Sequence, residues 1–177
     1  LFFSLILGLS LTIRYNLIFT VLPLFLWIFL FKYNFLRLWL IAAGILIALW
    51  AGLFIDYINW KPYGIGFTHT WLNLYEISIA GGWHDSYGIQ PWWYYFSSTI
   101  IELAPLLSIF FVISFVFYCY KNPLNIFTWI SILTLIFISS FGHKETRYVF
   151  PIYIFAPLFI VFFFDYFRKI KFFNYFK

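Results

Sequence analysis

Six apolar runs, separated by short polar breaks, constrain this chain more than any other feature. They cover residues 1–13, 17–31, 36–55, 98–120, 126–141 and 149–164. A membrane-crossing helix needs about 20 such residues. The pattern therefore predicts an all-α, multi-pass transmembrane bundle of about five or six spans. With no internal repeat or linker, residues 1–177 read as a single membrane domain. A water-soluble fold fails on charge: only 10% of residues are charged and 64% are hydrophobic, whereas soluble domains carry about 25% charged residues. The many Tyr and Trp suit the two interfacial belts of a bilayer.

The sequence opens at Leu1 inside an apolar run, without the charged lead-in of a signal peptide, and it contains no Met. The expectation is an N-terminally truncated chain, the C-terminal portion of a longer protein. A heavily processed small protein is the alternative. The single cysteine, Cys119, lies in an apolar run and reads as structural. No Cys/His cluster has metal-binding spacing, and His69, His84 and His143 are far apart, so neither a metal nor another cofactor is expected. The net charge of +5 does not point to nucleic acid, because the basic residues sit at the ends of the runs.

Those ends sort by side. Lys32 and Arg37 fall between the second and third runs and Lys121 between the fourth and fifth. Arg168, Lys169, Lys171 and Lys177 fall in the tail. Placing these segments in the cytoplasm accounts for seven of the eleven Lys and Arg residues and alternates correctly across every span. It puts residues 56–95, residues 143–147 and the end bearing Arg14 on the opposite face. Every unusual polar cluster then converges on one membrane surface.

The longer outer segment is unusual in content. Asn59, Trp60, His69, Trp71, Asn73, Trp83, His84, Asp85 and Pro91-Trp92-Trp93-Tyr94-Tyr95 mix ring faces with amide, carboxylate and imidazole groups. Sugars are held by such mixtures, because their C–H faces pack on rings while their hydroxyls need planar polar partners. Cationic headgroups use similar surfaces, and an aromatic belt with ordinary loop polars is the plainer reading. Arg14, between apolar stretches, is either functional or snorkels to the interface. Glu102 near the start of the fourth run either pairs with an outer cation or suits a helix N-terminus. Asp165 reads as a solvated cytoplasmic end.

The second outer segment is His143-Lys144-Glu145-Thr146-Arg147-Tyr148, with Pro151 shortly after. Arg offers a bidentate fork and Lys a point charge, so with His they form a set that holds phosphate at a membrane surface. A solvated loop capping two spans is the alternative.

Three stretches share a pattern. Gly8-Leu9-Ser10-Leu11-Thr12-Ile13-Arg14-Tyr15 is a Gly-containing run ending in an Arg. Asn73-Leu74-Tyr75 precedes Ser86-Tyr87-Gly88-Ile89-Gln90-Pro91-Trp92-Trp93-Tyr94-Tyr95. The third is the His143 to Tyr148 motif with Pro151. In order and spacing they resemble the family 22 glycosyltransferases, which include mannosyltransferases of GPI-anchor assembly and of the lipid-linked N-glycan precursor. The resemblance covers nearly the whole chain.

It implies a C-type glycosyltransferase fold that transfers a mannosyl residue from a polyprenyl (dolichyl) phosphate mannose donor to a lipid-linked glycan or GPI precursor. No nucleotide and no obligatory metal would be used. Arg14, His143, Lys144, Glu145 and Arg147 would meet the donor phosphate. Asn73, Tyr87, Pro91, Trp92 and Trp93 would meet sugar or acceptor. The membrane would be that of the endoplasmic reticulum or, for a bacterial protein, the inner membrane. The family's catalytic carboxylate belongs to an earlier outer loop with an acidic pair. It is expected upstream of Leu1, which makes the N-terminal half a further partner. A headgroup transporter segment, an accessory subunit and a non-catalytic remnant are the competing readings.

Overall fold

The computed structural model describes residues 2–60, 75, 88–102 and 104–169, without the side chains of Trp60 and Glu102. Among these residues there are eight α-helices and no strand. They are α1 (Phe2–Ile13), α2 (Ile18–Phe31), α3 (Phe35–Trp60), α4 (Tyr94–Glu102), α5 (Pro105–Lys121), α6 (Ile126–Ser140), α7 (Phe150–Tyr153) and α8 (Ala156–Lys169). Short 3₁₀ turns at Tyr15–Leu17 and Thr146–Val149 lead into α2 and α7.

The all-α expectation holds, but the six runs do not become six full-length spanning helices. Phe35–Asn59 is long and apolar enough to cross a membrane by itself. Among the described residues two bent pairs pass the same length and composition test only when each is taken together: α5 with α6, bent by 119°, and residues 146–153 with α8, bent by 49°. Proline explains where the runs break. The residue before a proline is pushed out of the helical region. Ala104 is accordingly extended (φ −63°, ψ 110°), and α5 starts afresh with Pro105 in its first turn. Pro157 lacks the N–H that would close the ladder between α7 and α8, and the chain bends there.

Helix starts at the opposite end are set by asparagines. The Asn34 side chain accepts from the Arg37 N–H at 3.0 Å and the Asn125 side chain from the Phe127 N–H at 3.0 Å. Each satisfies a backbone donor that the first turn leaves unpaired.

In lipid, helices associate through close packing and interhelical hydrogen bonds rather than through water exclusion. All three modes of contact here follow that rule. α1 and α3 run parallel with small residues between them: Ser4 donates to the Leu40 carbonyl at 3.2 Å, and Gly8 faces Ala48. A Cβ on Gly8 would stand 2.5 Å from that of Ala48 and 2.8 Å from the Ile45 carbonyl oxygen. The Gly8-to-Arg14 run is thus a packing face along most of its length. α2 and α6 run antiparallel, joined by Thr134 Oγ1 donating to the Phe19 carbonyl at 2.9 Å and by the Trp27 indole donating to the Leu124 carbonyl at 2.9 Å. α5 and α8 share an aromatic seam in which Phe111, Phe115 and Tyr118 enclose Phe159, with Tyr118–Phe159 centroids 4.9 Å apart. Such ring pairs add about 0.5–1.5 kcal/mol each beyond area burial.

The packing gathers the breaks at two ends. At one end Phe31 lies edge-on to Trp129, and the Lys121 ammonium sits 4.8 Å from the Tyr166 ring centre. This collects Lys32, Lys121 and the end of α8. The other end collects residues 14–17, 88–93 and 141–149.

Candidate functional site

The site grows from two segments that are distant in sequence. Gly88 takes a left-handed φ of +77°, which glycine adopts without strain. The chain then passes Ile89 and reaches Gln90, whose N–H donates to the Gly142 carbonyl at 3.0 Å. Lys144 closes the junction. Its ammonium donates to the Gln90 carbonyl at 2.8 Å and to the Phe141 carbonyl at 2.5 Å. Lys144 is only 6% exposed, and burial lowers its pKa from the ordinary lysine value.

The neighbouring charges behave differently. Glu145 is bonded to His143 Nε2 at 3.2 Å and to Arg147 Nε. Burial by itself raises the Glu145 pKa, but the hydrogen bonds and charges of Arg147 and His143 outweigh it and hold the carboxyl below its usual range. Holding the guanidinium by Nε fixes its plane, and the Tyr148 side chain is a further hydrogen-bonding partner of Arg147. The Arg147 side chain is 56% exposed. A cation braced in this way is suited to an anionic group arriving from outside.

The aromatics lie at the same end of the helices. Trp92 and Trp93 are exposed, with their rings perpendicular and 5.6 Å apart. Pro91 precedes them, and its carbonyl accepts the Tyr94 N–H at 3.0 Å, which starts α4. Behind them Tyr95 is buried in the core with Val149 and Ile152, so α4 is anchored on the same segment that carries the charged motif. An open apolar cavity of about 390 Å³ runs from Trp92 and Phe96 past Phe115 and Cys119 to Ile132 and Ile136. Among the described residues no group of three or more His, Cys, Asp or Glu could hold a metal ion.

Of the residues expected from sequence, His143, Lys144, Glu145, Arg147, Pro91, Trp92 and Trp93 are brought together. Arg14 is exposed at the same end, just before the turn whose Asn16 side chain lies within hydrogen-bonding reach of the Tyr148 hydroxyl. Asn73 and Tyr87 lie outside the described residues, as do His69, His84 and Asp85. Sequence reasoning missed Gln90, which joins the site through its backbone. No side-chain signal marks such a residue. It also missed the pairing of Asn16 with Tyr148.

Fold and site together define an apolar helical protein with a braced cation and exposed tryptophans at one end of its helices. The sequence model of the Alg9-like mannosyltransferase family matches residues 1–175, and the chain belongs to that family of membrane-bound glycosyltransferases. No curated protein and no solved structure matches it.

Proposed function

We propose that this chain carries the donor-facing site of a mannosyltransferase that uses polyprenyl (dolichyl) phosphate mannose. In that reaction the bond from the mannosyl anomeric carbon to the phosphate oxygen breaks. A bond forms to a hydroxyl oxygen of a lipid-linked glycan or GPI precursor, polyprenyl phosphate leaves, and the hydroxyl proton passes to a base. The family resemblance assigns that base to an acidic outer loop. Neither nucleotide nor metal is needed by such a donor, since the phosphate ester is itself the leaving group.

The observation that carries this reading is the Arg147–Glu145–His143 group, on a segment that Lys144 and Gly142 bond to Gln90, two residues before Trp92. Negative charge grows on the departing phosphate as the glycosidic bond breaks, and a preoriented cation in a partly dry setting stabilises it. Arg147 is the phosphate contact, Glu145 orients it, and His143 adds a hydrogen bond. The tryptophan faces take the sugar or the acceptor. The apolar cavity beginning at Trp92 fits the isoprenoid chain of a lipid donor. A transporter would more often place its binding groups midway along broken helices, whereas these lie at helix ends. The setting is the non-cytoplasmic face of the endoplasmic reticulum membrane or of a bacterial inner membrane.

The deciding measurement is binding of polyprenyl phosphate mannose to the membrane-reconstituted protein. A charge-assisted contact is worth about 1.5–3 kcal/mol, so Arg147→Ala should weaken donor affinity by roughly tenfold or more. Unchanged affinity in a folded variant would reduce the motif to a loop cap.

A further inference from the structure

Lys144 is the residue of the charged motif whose position suits a phosphate contact least. It is 6% exposed, while Arg147, three residues further along the same loop, is open to solvent on more than half its side-chain surface. Two of the three donors of an ammonium point at main-chain carbonyls, those of Gln90 and Phe141. One of these lies 54 positions away in sequence. The Gln90 N–H returns a bond to the Gly142 carbonyl, so Gln90 is gripped on both its backbone groups. Its neighbours in sequence are Gly88, with its left-handed backbone, and the Pro91-Trp92-Trp93 corner. Without the ammonium, the two segments would keep one backbone hydrogen bond between them at this point, and two partly buried carbonyls would lose a partner.

We propose that Lys144 is a positioning residue: its ammonium clasps residues 88–93 to the 141–145 turn and so fixes Trp92 and Trp93 relative to Arg147. The importance of that spacing rests on the donor-site reading above, whereas the clasp itself does not. A small ammonium meets two carbonyls from a single point. A planar guanidinium is larger and spreads its donors in a fork, so arginine cannot take its place in a buried junction of this size. At a phosphate contact arginine would serve as well or better.

Both contacts use the Gln90 backbone, so Gln90→Cys preserves them. Gly142 has no positive φ, and Gly142→Cys adds no backbone strain. A direct backbone hydrogen bond brings the two positions within the span of a disulfide. With Cys119→Ala in the same chain, mild oxidation of the Gln90→Cys/Gly142→Cys protein should cross-link it readily, and adding Lys144→Met or Lys144→Arg should slow cross-linking several-fold. Each Lys144 variant, without the cysteines, should lose donor affinity by roughly tenfold or more. The disulfide, once formed, should return most of that affinity, and reduction should abolish it again. Cross-linking that ignores Lys144→Met would overturn the clasp itself. Normal donor binding by Lys144→Arg, or a formed disulfide that leaves binding lost, would overturn its role in positioning the donor site, the last by showing that the ammonium touches the donor. If Arg147→Ala leaves donor affinity intact, the donor-site reading fails by itself, and the cross-linking rates still decide whether Lys144 joins the two segments.

Discussion

Gly8 of α1 and Ala48 of α3 face each other with no room for another atom: a Cβ on Gly8 would lie 2.5 Å from that of Ala48. Real Cβ atoms do not approach so closely, and the nearby Ile45 carbonyl is backbone that cannot swing away. Gly8→Ala should therefore force the helices apart and cost about 1–3 kcal/mol, as overpacking of a tight contact does. Gly8→Leu should cost more. Thermal unfolding in detergent micelles measures both, and a variant as stable as the parent would show that the helices do not pack this closely.

Thr134 offers a gentler test at the α2–α6 contact. It is 1% exposed, and its hydroxyl reaches the Phe19 carbonyl 115 positions away. Thr134→Val keeps the shape and removes the bond. Interhelical hydrogen bonds of this kind average about 0.6 kcal/mol in membrane proteins, so the expected loss is of that order. A loss beyond about 2 kcal/mol would mean that the hydroxyl does more than join two helices.

Acid should loosen the charged motif. The folded Glu145 carboxyl has its pKa held below the usual value by Arg147 and His143. A depressed carboxylate contributes stability fully above its unfolded pKa, about 4.3. That contribution is lost as pH falls through the lower folded value. The unfolding temperature should thus drop on acidification in this window, and Glu145→Gln should flatten that part of the profile. An unaltered acid limb in Glu145→Gln would place the titrating group elsewhere.

The two ends at which the structure gathers its loops allow the sidedness expected from the basic residues to be tested. Residues 14–17, 88–93 and 141–149 meet at one end, while Lys32 and Lys121 sit at the other. A single cysteine replacing Thr146, with Cys119 removed, should react with an impermeant thiol reagent from the non-cytoplasmic side. One replacing Tyr33 should react only from the cytoplasmic side. Labelling of both from the same side would overturn the topology.

The apolar cavity below Trp92 gives a test that separates lipid from sugar recognition. Ile136 lines it and is 57% exposed. Ile136→Trp should fill part of the cavity and weaken binding of a long-chain polyprenyl donor severalfold, while a short-chain analogue binds as before. Equal weakening of both would move the lipid chain to another face.

The helical class and the family were legible in the sequence because both depend on local order: apolar runs of helical length, and short motifs read residue by residue. The Asn34 and Asn125 caps and the Pro105 start also act within a few residues of themselves, but the apolar runs do not reveal them, and the fourth run reads straight through Pro105. The number of full-length spans was not legible, because hydropathy cannot tell one long helix from two pieces with Pro105 or Pro157 between them. The site divided along the same line. Arg147 and Glu145 could be named from the motif, since they are two residues apart and chemically paired. Lys144 reads in sequence as one more cation for the same phosphate. Only tertiary structure sends its ammonium to the Gln90 carbonyl, since that contact depends on α4 and the 141–149 segment being packed together through Tyr95, Val149 and Ile152. A backbone carbonyl has no residue type, so the sequence has no letter to mark it as a partner.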